Sequence, residues 1–241
     1  MRQIKAIPII LIYIFAMFFL PAISYYLLFH IFNITDGISL SVYANLISYL
    51  FLAIVSISLF GRHLLDDFKK LKLDNFNKLQ LDDFNKGFNK LQSAGVFFKG
   101  VFIGWVQLIL ALMASNILLF LIIGETDSSE NQQAIEATIS AYPIIMAITT
   151  VLLAPLIEEI IFRLTLMNKT LFHPWISILF SSFLFALIHV VSARDFIFII
   201  PYMAMGIPLG YSYYKTQNIC YPIGIHLLQN LFSTLVLIFI Q

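Results

Sequence analysis

Residues 151–167 read VLLAPLIEEIIFRLTLM. The stretch is apolar enough for a bilayer, yet it carries the adjacent glutamates Glu158 and Glu159, with Arg163 close behind. Each such group costs roughly 2.5–3.5 kcal/mol at the centre of an inserted helix. A chain keeps them for structure where they pair, and for chemistry where one stays free. On a helix Glu159 and Arg163 stand four apart on one face and can pair, whereas Glu158 lies about 100° round and five residues from the arginine. One glutamate is thereby neutralised and the other can face a cavity, where a desolvated carboxylate suits general-base work if water reaches it. An inert buried network of all three is the alternative, and EEIIFR alone does not decide between them.

The rest of the chain explains why this stretch crosses a membrane. Of 241 residues 60% are hydrophobic and 11% charged, and the mean hydropathy is +0.91. A soluble domain cannot hide that much apolar surface, so the sequence reads as an all-α polytopic membrane protein. The opening MRQIKAIPIILIYIFAMFFLPAISYYLLFHIF resembles a signal peptide at first, but its apolar run continues to Phe32 and reads as an uncleaved first helix. Apolar runs at about 7–32, 41–61, 97–123, 141–168, 174–193, 196–214 and 219–240 give about seven spans, within a range of six to eight. The single Cys220 excludes an internal disulfide framework and reads as a small core residue.

Charge placement predicts the orientation. With the N-terminus cytoplasmic, Arg2, Lys5, the eight basic residues of 62–99, Arg163, Lys169 and Lys215 fall inside, and of fourteen basic residues only Arg194, beside Asp195, falls outside. The expected outer loop 124–140 has four acids and no base. The chain divides into an N-terminal two-helix hairpin (1–61), a cytoplasmic segment (62–96) between helices 2 and 3, and membrane helices over 97–241. The middle segment holds a degenerate repeat at 65–92, LDDFKKLK, LDNFNKLQ, LDDFNKGF, which reads as an amphipathic helix on the inner leaflet with its lysines near anionic lipid. Docking or regulation is its alternative role. Nothing in the composition points to nucleic acid, and membrane lipids are the expected surroundings.

Two further helices carry polar groups. In FSSFLFALIHV, His189 follows Phe185 by four residues and shares its face. The turn near FHPW (172–175) makes Glu158 and His189 symmetric about an antiparallel hairpin, hence similar in depth. In GIHLLQN, His226 and Asn230 share a face. Each of these also reads as an interhelical hydrogen-bonding residue, worth about 0.6 kcal/mol per contact on average. Counted from Lys215, His226 lies nearer the cytoplasmic edge than Glu158, so a common site requires KTQNICYPIG to dip inward, as Pro222 and Gly224 allow. His30, His63 and His173 sit at helix ends or turns, and Asp36 and Asp195 in loops.

The order EExxxR, FxxxH, HxxxN on three apolar helices resembles the CPBP (CAAX protease and bacteriocin-processing, or Abi) family of intramembrane proteases, related to the type II CAAX prenyl endopeptidases. EEIIFR (158–163), FALIH (185–189) and HLLQN (226–230) match its three motifs, and GIPLGYSYYKTQNICYPIGIH resembles the stretch before its last histidine. The protease-like core covers about 140–235. The resemblance implies that Glu158 activates water, that His189 holds it, that His226 and Asn230 stabilise the oxyanion, and that Glu159 and Arg163, with Phe185 beside them, brace the site. It leaves metal open. Glu158, His189 and His226 are a set that zinc accepts, while Asn230 beside His226 favours a metal-free oxyanion site, so no cofactor is assigned. The implied activity is an endopeptidase of the bacterial plasma membrane acting on a peptide or membrane-protein substrate, such as a secreted peptide, a bacteriocin or pheromone precursor, or a membrane regulator. The rivals are a non-proteolytic scaffold or bacteriocin-immunity protein on the same fold, and a proton- or ion-coupled transporter.

Overall fold

Pro21 divides the first apolar run. In the computed structural model, which describes residues 3–73, 86–124, 128–167, 173–192 and 194–239, the run forms α1 (Gln3–Phe18) and α2 (Leu20–His30). Proline offers no N–H to the ladder, yet Phe19 keeps helical dihedrals, and the two pieces make one candidate span, Pro8–His30. α3 (Gly37–Leu73) and α4 (Lys86–Ile123) have 37 and 38 residues. At 1.5 Å per residue each is roughly 55 Å long, well beyond the roughly 30 Å hydrocarbon core. The boundary expected after residue 61 therefore lies inside an unbroken helix, and the first repeat begins as the continuation of α3. Repeat residues 74–85 lie outside the described residues.

The expected outer loop contains a helix of its own, α5 (Glu130–Ala141). Ser129 Oγ caps it by accepting the Gln132 N–H at 3.2 Å, and Glu130 sits in the first turn, where the helix dipole favours an acid. The fourth crossing, Pro143–Thr165, is composite: α6 (Pro143–Ala147), a π segment (Ile148–Leu153), α7 (Ala154–Glu159) and a second π segment (Ile160–Thr165). α8 (Pro174–Val190), a 3-10 turn (Phe196–Phe198), α9 (Ile199–Thr216) and α10 (Cys220–Phe239) complete the chain. Among the described residues six helices are long and apolar enough to span, and the seventh expected span, α8, has 17 residues, the short limit for a crossing. The protein is an all-α polytopic membrane protein, with no strand among the described residues.

Contacts sort the helix ends into two groups. At one end Asn218 Nδ2 donates to Asp67 O (2.8 Å) and the Ile219 N–H donates to Asp67 Oδ2 (3.0 Å), tying α3 to the α9–α10 turn. Lys70 Nζ pairs with the same carboxylate at 2.5 Å, and Lys215 ends α9 nearby, so we call this the basic end. At the other, acidic end the Glu130 N–H donates to Asp195 Oδ2 (2.9 Å), and Tyr142 Oη meets Ser39 Oγ. There Asp36 Oδ2 accepts the Ser39 hydroxyl and the Ser39 N–H at the start of α3, which together hold this carboxyl below its usual range.

The core beneath the charged residues joins Ile9, Tyr13 and Ala16 of α1, Leu52 and Ala53 of α3, Ile157, Ile161 and Phe162 of the fourth crossing, and Phe185 of α8. Large side chains such as Leu121, Ile144 and Phe239 point outward, as lipid contact requires. Gly206 lets α9 lie against α8: a Cβ there would meet Ser182 Cβ at 2.9 Å and its Cα at 3.0 Å. Small residues permit such backbone approach where lipid leaves packing to drive association.

Candidate active site

The site begins with a missing hydrogen. In the first π segment the Ala154 N–H bonds to Thr149 O, five residues back. The next donor in that register is residue 155, a proline, so Thr150 O has no N–H to accept. Asn230 Nδ2 of α10 donates to it at 2.8 Å. The exchange locks α10 to the fourth crossing about two turns before Glu158. A second π register follows the glutamates, with the Leu166 N–H bonded to Ile161 O. Across the hairpin, Ser181 Oγ of α8 donates to Phe162 O at 2.7 Å.

Glu159 is the hub of the charges. Its Oε2 lies 3.2 Å from Arg163 Nε, close enough to pair although not aligned as a hydrogen bond, and its Oε1 accepts the His226 Nδ1–H at 2.9 Å. Arg163 is fully buried, donates through Nη2 to Gly206 O at 3.0 Å, and lies 5.1 Å from the centre of the Phe185 ring. Buried charges need such partners, because removing one leaves the other stranded in low dielectric. Glu158 is also buried, but its nearest ionic partner among the described residues is His226 Nε2, at 3.9 Å. The arrangement holds one carboxylate tightly and leaves its neighbour with only the more distant His226 among the described residues.

His189 is fixed in two ways. Its Nδ1–H donates to Phe185 O at 2.8 Å, which assigns the tautomer with Nε2 as acceptor, and its ring stacks on Tyr202 at 4.6 Å. Tyr202 Oη is itself held by Ser129 Oγ (2.8 Å) and by Asn131 Nδ2 (3.0 Å), at the start of α5. Phe185 lies between the two imidazoles, 4.7 Å from His189 and 5.8 Å from His226 between ring centres.

The structure thus gathers Glu158, Glu159, Arg163, Phe185, His189 and His226 in one place, with Asn230 bonded to the backbone of the same crossing. The depth difficulty at His226 disappears. Glu158 lies seven residues from the basic end of its crossing and His226 six residues into α10, roughly 10 Å and 9 Å at 1.5 Å per residue. Tyr13, Tyr49, Tyr202, Thr150 and Pro155 were not anticipated. Among them only Pro155 gave a signal, as a proline inside an apolar span. Among the described residues no three His, Cys, Asp or Glu side chains are grouped to hold an ion.

Residues 140–232 match the family model described as "Type II CAAX prenyl endopeptidase Rce1-like". That stretch contains every residue of the constellation. It is similar to the Rce1-like family. Among curated proteins, "Putative membrane peptidase YdiL" of Bacillus subtilis (strain 168) is 34% identical over 117 residues, which cover 47% of this chain and 45% of that protein. The match thus spans under half of the curated relative. No solved structure matches the chain. The Rce1-like region begins just before α6, so α1, α3 and the start of α5, which pack around the site, lie outside it.

Proposed function

We propose that the protein is an intramembrane endopeptidase that hydrolyses a peptide bond with water activated by Glu158. The observation that carries this reading is the division of labour between neighbours: Glu159 takes both Arg163 and His226, while Glu158 has no partner closer than 3.9 Å. A general base must be within reach of water and unspent on a structural pair. In the reaction, water adds to the scissile carbonyl carbon and gives its proton to Glu158. His189 Nε2 accepts the second hydrogen of that water as a hydrogen bond and so orients it. Asn230, with one amide hydrogen beyond its bond to Thr150, stands toward the carbonyl, and Glu159 fixes His226 beside it. When the tetrahedral intermediate collapses, the C–N bond breaks and the nitrogen takes the proton from Glu158.

The shallow position of Glu158 and His226 relative to the basic end supports substrate entry from that side, which charge placement makes cytoplasmic. We assign the protein to a bacterial plasma membrane, with a membrane-associated or secreted peptide or protein as the substrate class. The test uses purified protein in detergent and a proteome-derived peptide library, with new termini read by mass spectrometry. Wild type is compared with Glu158→Gln and His226→Ala, with and without a strong chelator. New termini that vanish in both variants are the expected result. Equal cutting by the variants, or none by wild type, overturns the assignment and favours a scaffold on this fold.

A further inference from the structure

The groups around Glu158 are rich in acceptors. His189 gives its Nδ1–H to Phe185 O and His226 gives its own to Glu159, so in the neutral rings both Nε2 atoms are lone pairs. Glu158 is an acceptor as a carboxylate, and Asn230 has given one N–H to Thr150 O. A tetrahedral intermediate carries its charge on oxygen and needs donors.

One donor on the opposite wall has nothing to donate to. Tyr13 of α1 is 2% exposed, and its hydroxyl is buried with no hydrogen-bond partner among the described residues. An unpaired buried hydroxyl is unfavourable, and phenylalanine fills the same space without it. The Tyr13 ring stands edge-on to Phe162 at 5.8 Å, in the cluster that holds Ile157, Ile161 and Phe185. Glu158 lies one turn from Phe162 on the same stripe of the crossing, and Tyr49 of α3 packs against the same cluster.

We propose that Tyr13 is a catalytic residue whose hydroxyl donates a hydrogen bond to the oxyanion at the scissile carbonyl, an inference that rests on the peptidase reading. As the water oxygen bonds to the carbonyl carbon, the π pair moves onto the carbonyl oxygen and Glu158 takes the proton. Tyr13 hydrogen-bonds that oxygen and keeps its own proton. When the pair returns, the C–N bond breaks, the nitrogen is protonated by Glu158, and Tyr13 is unchanged. A helix outside the Rce1-like region then supplies a donor to the chemistry.

The test is Tyr13→Phe in the full-length protein, assayed on the best-cut library peptide and melted in detergent. One donor of this kind is worth about 10²- to 10³-fold in kcat. The expected result is that loss in kcat, KM within about twofold of wild type, and a melting temperature equal to or above wild type. A variant that cuts at the wild-type rate overturns the proposal while leaving the peptidase reading intact. A clear drop in melting temperature also overturns it, because the hydroxyl then has a structural partner. Absence of cutting by wild type removes the peptidase reading and this proposal together.

Discussion

Glu158 and Glu159 are chemically identical neighbours with opposite circumstances, and substitution should separate them. Glu158→Gln keeps the shape of a group that has no close ionic partner, so folding should survive while cleavage falls by about 10²- to 10⁴-fold, the usual worth of a general base. Glu159→Gln leaves buried Arg163 without its counter-charge and loosens His226, so it should cost about 3–5 kcal/mol of stability as well as activity. Melting curves beside cleavage rates decide this, and a Glu158→Gln variant that unfolds would overturn the division of roles. The Glu159–Arg163 pairing was legible because i, i+4 spacing is a property of any helix. The bond from His226 to Glu159 was not, since nothing in a sequence states which face of a distant helix meets this one. Tyr13 and Tyr202 were hidden for a related reason. The protein has 11 tyrosines and 24 phenylalanines, and only packing tells a working phenol from an apolar filler.

Pairs of elements show the same logic in backbone form. If Asn230 satisfies the carbonyl that Pro155 frees, Asn230→Ala should cost on the order of 1 kcal/mol, as an unmade bond to a buried carbonyl does. Pro155→Ala in that background should restore most of the loss by returning an N–H to the ladder. A double-mutant cycle in detergent reads the coupling directly, and additive effects would remove the explanation. Gly206 sets the spacing of α8 and α9. Gly206→Ala should destabilise by about 1–3 kcal/mol as Cβ meets the Ser182 backbone, and should shift the carbonyl that holds Arg163. The helices themselves were readable from apolar runs. The π segments were not, because α and π registers differ by a single hydrogen-bond step that the same side chains tolerate.

On the scale of the whole molecule, the two ends differ in charge and in what fastens them. Asp67 is fully buried and accepts the Ile219 N–H at the mouth of α10, seven residues before His226, whereas Asp66 beside it pairs at the surface. Asp67→Ala should therefore lower stability by about 1–3 kcal/mol and slow cleavage, while Asp66→Ala changes stability by less than about 0.5 kcal/mol. Equal melting of the two variants would show that the clasp is idle. Orientation is open to labelling in a Cys220→Ser background: Asp66→Cys should react only when the cytoplasmic face is accessible, and Asn131→Cys only from outside. The six long apolar helices were legible in composition. The clasp was not, because Asp67 looks like any charged repeat position until its partner in the α9–α10 turn is known. The mixed cluster around Phe162 has a practical corollary for anyone moving this machinery between proteins. A graft or truncation starting at residue 140 would retain every motif that identifies the family, and would leave behind Ile9, Tyr13, Ala16, Leu52 and Ala53. Such a fragment should bear the family's signature and fail as an enzyme, its bare flank open to lipid tails where α1 and α3 had stood.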